Sequence, residues 1–89
     1  MSAIVVQGRV IGPGREPIAG ASVMFARGPV AVPDIAQITS SRGTFELAAP
    51  IEGRYCILVN APGFSPVQQD VDVVRGETSD IEIAVGGER

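Results

Sequence analysis

The chain has 89 residues, a length that fits one domain and leaves little room for a second hydrophobic core. Ten acidic residues against seven arginines give a formal charge of −3, with no basic run to neutralise a row of phosphates, so nucleic acid is not an expected ligand. Apolar residues at 45% and charged residues at 19% describe a chain that folds, and a single cysteine, Cys56, excludes an internal disulfide and fits a reducing compartment.

Eleven glycines and seven prolines recur along the chain, a punctuation that suits short strands and nearly excludes helix. The first expected strand runs from Ala3 to Ile11, with Ile4, Val6 and Val10 on one face and Gln7 and Arg9 on the other. Gly12-Pro13-Gly14 ends it. Pro17 and Gly20 introduce a second strand, Ala21 to Arg27, and Gly28-Pro29 closes that one. Val30 to Asp34, which contains Pro33, reads as an extended loop or edge segment before a third strand from about Ile35 to Ser40. Ser41-Arg42-Gly43 is a hairpin turn that needs positive φ at Gly43, and Thr44 to Ala48 returns with Phe45 and Leu47 inward.

After Pro50 to Gly53, the strand Arg54 to Ala61 is apolar on both faces, with Tyr55, Ile57 and Val59 on one and Cys56 and Leu58 on the other, as a central strand would be. Past Pro62-Gly63-Phe64, two strands alternate cleanly: Val67 to Val74 sets Val71 and Val73 against Asp70 and Asp72. Thr78 to Val85 then sets Ile81, Ile83 and Val85 against Asp80 and Glu82. Charged outer faces also discourage edge-to-edge aggregation. Seven strands without helices to cover a parallel sheet imply an all-β fold, two antiparallel sheets packed face to face in a single domain spanning residues 1–89.

The order Gly8-x-Val10, Pro17-x-x-Gly20-Ala21-x-Val23, Gly43-x-Phe45 and Gly53-x-Tyr55 resembles the carboxypeptidase regulatory-like domain. Val59-x-Ala61-x-Gly63-Phe64, and Gly76 followed by Ile81 and Ile83, extend the resemblance from about Val5 to Val85. It implies a transthyretin-like, or prealbumin-like, sandwich and speaks to fold far more than to function. The bland account of these positions is structural, with glycines at turns and Phe45, Tyr55 and Phe64 as most of the aromatic core. The stretch Gly28 to Asp34 departs from the family pattern by what looks like an insertion, and loops on a rigid sandwich commonly carry binding groups.

Histidine is absent, which removes the usual neutral-pH general base and the commonest transition-metal ligand. The catalytic branch of the transthyretin-like fold, which hydrolyses a purine-breakdown product, depends on histidines this chain lacks. Lysine is absent too, excluding a Schiff base and the Lys–Asn isopeptide cross-link of similar-looking pilin and adhesin sandwiches, so Asn60 has no lysine to bond. Cys56 lies among apolar residues with no histidine to activate it, as an inert buried thiol would. Asp70 and Asp72 share a strand face and could meet Glu46 or Glu82 around calcium, but no glycine-containing acidic loop accompanies them, and solubility is the simpler explanation. No enzyme activity, cofactor or metal is expected.

Strict alternation turns Val5, Phe25, Cys56 and Leu58 away from the face of Val6, Ile57 and Val59, which suggests an apolar patch that an interface or a loop covers. With Pro29, Val30, Val32, Pro33 and Asp34 of the unusual loop, these residues form the candidate interaction surface. A chain this short buries only roughly 60 to 65% of its unfolded surface, so further burial against a partner would add stability. The expected function is therefore an accessory module that binds another protein, itself included as a homodimer, or braces a larger assembly. Alone it would act in trans or as an oligomer; within a longer chain it would be an appendage of a larger enzyme or secretion-apparatus protein. The alternative is a small-ligand or carbohydrate-binding module using loops at one end, for which the four aromatic residues are few. Met1-Ser2-Ala3 leads straight into Ile4-Val5-Val6 without a Sec-type signal pattern, and no apolar run approaches the roughly 20 residues of a membrane helix. The expectation is a cytoplasmic protein with no membrane partner, although leaderless export is compatible with the same features.

Overall fold

Alternating apolar and polar residues build seven strands in a computed structural model that describes residues 3–32, 36–76 and 80–86. They are β1 (Ile4–Ile11), β2 (Ser22–Arg27), β3 (Gln37–Ile38), β4 (Thr44–Ala49), β5 (Gly53–Asn60), β6 (Val67–Val73) and β7 (Ile81–Ala84), with no helix among the described residues. All seven expected strands are present. The third is two residues long rather than six, because Thr39 turns inward and spends its side chain on the neighbouring loop. The expected strand starts at Ile35 and Thr78 lie outside the described residues.

The strands form a three-stranded sheet in the order β4-β1-β7 and a four-stranded sheet in the order β3-β2-β5-β6. All pairs are antiparallel except β1–β7, where Gly8 to Ile11 run parallel to Ile81 to Ala84. The chain crosses from β6 in one sheet to β7 in the other, so β7 is not a hairpin partner of its predecessor, and the all-antiparallel expectation fails at this one pair.

Between the sheets lie the inward rows, with Val6, Val10, Ile83 and Val85 from one sheet and Val23, Tyr55, Ile57 and Val59 from the other, all almost fully buried. Burying one such aliphatic side chain is worth roughly 1.5–3 kcal/mol. Phe45 and Leu47 face inward as alternation requires. Gly8 sits between Phe45 and Ile81 in the sheet, and a Cβ there would lie 2.5 Å from Phe45 Cζ and 2.5 Å from the Ile81 carbonyl oxygen. The missing side chain makes room for the Phe45 ring.

Hydrogen bonds stitch one flank of the sandwich shut. Thr39, buried, accepts from the Ala21 amide at 2.9 Å and donates to the Ile18 carbonyl at 2.7 Å through its hydroxyl. The hairpin expected at Ser41-Arg42-Gly43 is instead a tight turn that carries the chain from β3 in one sheet to β4 in the other; in it the Gly43 amide donates to Ser40 O at 2.9 Å, and Gly43 O accepts from Val10 N at 2.8 Å. Gly43 has φ +76°, as expected, and a Cβ there would meet Val10 O at 2.7 Å.

Candidate functional site

The sequence-expected surface residues separate into three places. Val5 is 52% exposed on the outer face of the three-stranded sheet, whereas Cys56 and Leu58 turn to the outer face of the four-stranded sheet, on the other side of the sandwich. Phe25 is not on the surface at all. It shares the inward face of β2 with Val23, opposes Ile57 on β5, and stacks on Tyr55 with ring centroids 4.5 Å apart and planes tilted by 37°. Alternation within β2, with Val23 and Ala21 two and four residues before it on the same buried face, already sets its side. Phe25 thus replaces Phe64, which is half-buried, as the third fully enclosed ring.

The loop after β2 is drawn onto the body of the domain. A Cβ on Gly28 would lie 2.6 Å from the Tyr55 ring, Pro29 lies against Gly53, and Val32 packs on the core. Pro29 and Val30 remain exposed, while Pro33 and Asp34 lie outside the described residues. The Tyr55 hydroxyl fixes the next turn, donating to Ile51 O at 2.7 Å and accepting from Ile51 N at 3.3 Å. Gly28, Pro29 and Val32 therefore close the end of the sandwich, and Val30 is an exposed apolar point of the loop.

On the four-stranded sheet, pairing assembles an apolar strip that alternation alone did not reveal. Leu58 lies beside Met24 on β2 and Gln68 on β6, and Ser22 brings the 63% exposed Ile38 alongside the same face. Met24, Ala26 and Leu58 are half-buried; Cys56 is buried, its thiol 4.0 Å from the Gln68 side-chain oxygen. The missing signal was register, since Met24 sits between two core residues and only its pairing with Leu58 makes it part of a surface.

Beside the strip, β6 carries Asp70 and Asp72 outward, and Asp72 accepts a hydrogen bond from Arg54 Nε at 3.1 Å. That bond, reinforced by the charges of Asp72 and Asp70, holds the Arg54 guanidinium above its ordinary pKa. Glu46 and Glu82 lie on the opposite sheet, so they and the two aspartates do not converge on one ion. Among the described residues no three acidic or thiol side chains come together as a metal cluster.

An open depression of about 460 Å³ lies over β1, β3 and β4, with Gln7, Arg9, Gln37, Thr44, Glu46 and Asp80 around it. Gln7 Nε2 donates to Glu46 Oε2 at 2.9 Å across its floor. Strands rather than end loops frame it, and Phe45 beneath is only 4% exposed, too covered to stack on a sugar ring. No helix among the described residues is long and apolar enough to cross a membrane.

Two face-to-face sheets with a ring-packed core, a tyrosine-pinned end and surfaces made of strand faces and edges define a prealbumin-like β-sandwich. The chain belongs to the carboxypeptidase regulatory-like domain family, whose model matches residues 5–86; this is a family of accessory, non-catalytic domains. Among solved structures, sixteen chains match, one of them the Bacillus anthracis TIE protein, with TM-score 0.70 and 23% sequence identity. That match covers 96% of this chain and 16% of the TIE protein chain, and at this identity it shows the fold alone. No curated protein matches.

Proposed function

We propose that this chain is a non-catalytic docking module that binds another protein and so braces or positions a larger assembly. The observation that carries the reading is the half-buried strip of Met24, Ala26 and Leu58 beside buried Cys56, extended by exposed Ile38, on the outer face of a sheet whose inner face already fills the core. A central strand that is apolar on both sides gains further burial when that face is covered. Membership of an accessory-domain family supports it, as does the match to a chain about six times longer, in which the fold is one segment.

The carbohydrate alternative finds hydrogen-bonding groups in the polar depression but no exposed ring to stack on, so docking through a protein surface is the better account. The test compares the wild-type chain with Leu58→Asp by sedimentation and by pull-down. The variant should remain a folded monomer with an unchanged far-UV spectrum and lose the association that the wild type shows. If the wild type is monomeric at high concentration and retains no partner that Leu58→Asp releases, the strip is not an interface.

A further inference from the structure

The two flanks of the sandwich end differently. At one, a tight turn joins β3 of the four-stranded sheet to β4 of the three-stranded sheet, with Ser40 N donating to Thr44 O at 3.0 Å. At the other, β6 and β7 end their respective sheets and share no ladder among the described residues. β6 is the longer edge, seven residues paired with β5 from Gly53↔Val73 to Val59↔Val67 without a register shift.

An edge strand presents alternate backbone N–H and C=O groups to whatever lies beside it, and proteins blunt such edges with bulges, prolines, inward charges or very short strands. β6 lacks these four, and the device it does carry is the outward charge of Asp70 and Asp72. Val67, Gln69, Val71 and Val73 turn inward, Pro66 precedes the strand rather than interrupting it, and the only charges, Asp70 and Asp72, point outward. Those carboxylates decide which strand can be added. On the outer face of β5 and β6 one guanidinium, Arg54, stands against two carboxylates, leaving a net charge of −1.

A second copy of this chain fits the edge badly. Two antiparallel β6 strands in full overlap would set Asp70 against Asp70, and a shift of the symmetry centre by one residue to Val71 would set Asp70 against Asp72 twice. Like charges directly opposite destabilise a strand pair. A strand with arginine or lysine at these outward positions meets the opposite condition, and its apolar alternates continue the inward row of Val67, Val71 and Val73.

We propose that the free edge of β6 is a strand-addition site for an extended peptide segment of a partner protein, with basic residues outward and apolar residues inward in alternation. This rests on the docking reading above, but uses the edge of the sheet where that reading uses its face. Backbone hydrogen bonds supply most of the affinity, and Asp70 and Asp72 supply charge selection.

The probe is a labelled peptide, acetyl-Val-Arg-Val-Arg-Val-Thr-Val-amide, titrated into the full chain. Its acidic counterpart, with glutamate for arginine, and two versions N-methylated at odd or at even positions accompany it. Saturable binding is expected for the basic peptide, no binding for the acidic one, and loss of binding for only one methylation parity, because a strand offers β6 one edge. Amide exchange should slow at residues 67–73, and Asp70→Asn with Asp72→Asn should weaken binding roughly two- to fivefold per charge at low salt. Equal binding of both methylated peptides, protection elsewhere, or no saturable binding would overturn the proposal. So would a peptide-free dimer protected at β6. Because the probe touches the edge and Leu58→Asp touches the face, either idea can fail while the other stands.

Discussion

The β3–β4 flank and the β6 edge are built from the same strand-forming residue types, yet they treat their backbone differently. Along the first, Thr39, Ser40 and Gly43 give the polar groups of the crossing chain partners inside the protein. Along the second, one side of the ladder belongs to β5 and, among the described residues, no strand pairs with the other. A sandwich of 89 residues has too little core to waste unpaired buried groups, so the crossing that links its sheets must be fully bonded. An edge facing water carries no such demand and is free to serve recognition. Substitutions should therefore cost stability on the closed flank and leave it intact on the open one.

The largest expected effect is Phe45→Ala. It removes a ring that lies over Gly8, where no side chain can swing in to fill the space, and should cost roughly 3–5 kcal/mol in urea unfolding. A negligible loss would mean that the ring is not enclosed. Thr39→Val should cost less, about 1–3 kcal/mol, because it keeps the shape and strips partners from Ala21 N and Ile18 O in a buried setting. Wild-type stability in that variant would show that the closed flank does not depend on its side-chain stitch.

Strand number, position along the chain and most inward faces were legible because alternation is a local property: Val6, Phe45, Ile57, Val71 and Ile83 each follow from their immediate neighbours. What was not legible depends on pairing. Phe25 is the exception, since alternation with Val23 on its own strand already turns it inward, where it stacks on Tyr55. Val5 and Leu58, placed together by parity, lie on different sheets because sheet membership is set by topology. The parallel β1–β7 pair has the same origin. The site was visible in part: Leu58 and Cys56 were marked by the two-sided strand, while Met24 and Ile38 joined them only through cross-strand partners. Gly28 to Asp34 was marked as unusual, but the packing of Gly28 on Tyr55 and of Pro29 on Gly53 is a tertiary event with no local signature.

The smallest expected effect lies on the open edge and sharpens the contrast most. Asp72→Asn removes the acceptor charge of the Arg54 pair, an interaction 3.1 Å long between side chains that are 68% and 67% exposed. Water and salt screen such a pair, and holding two mobile side chains in one geometry offsets most of the attraction. The melting temperature should match that of the wild type within error, both at low salt and at 0.5 M salt as a roughly saturating screen. A drop comparable to that of Thr39→Val would mean that the edge is held by its charges and is part of the structural frame. An unchanged melting temperature leaves Asp72 free to act on a strand added beside β6.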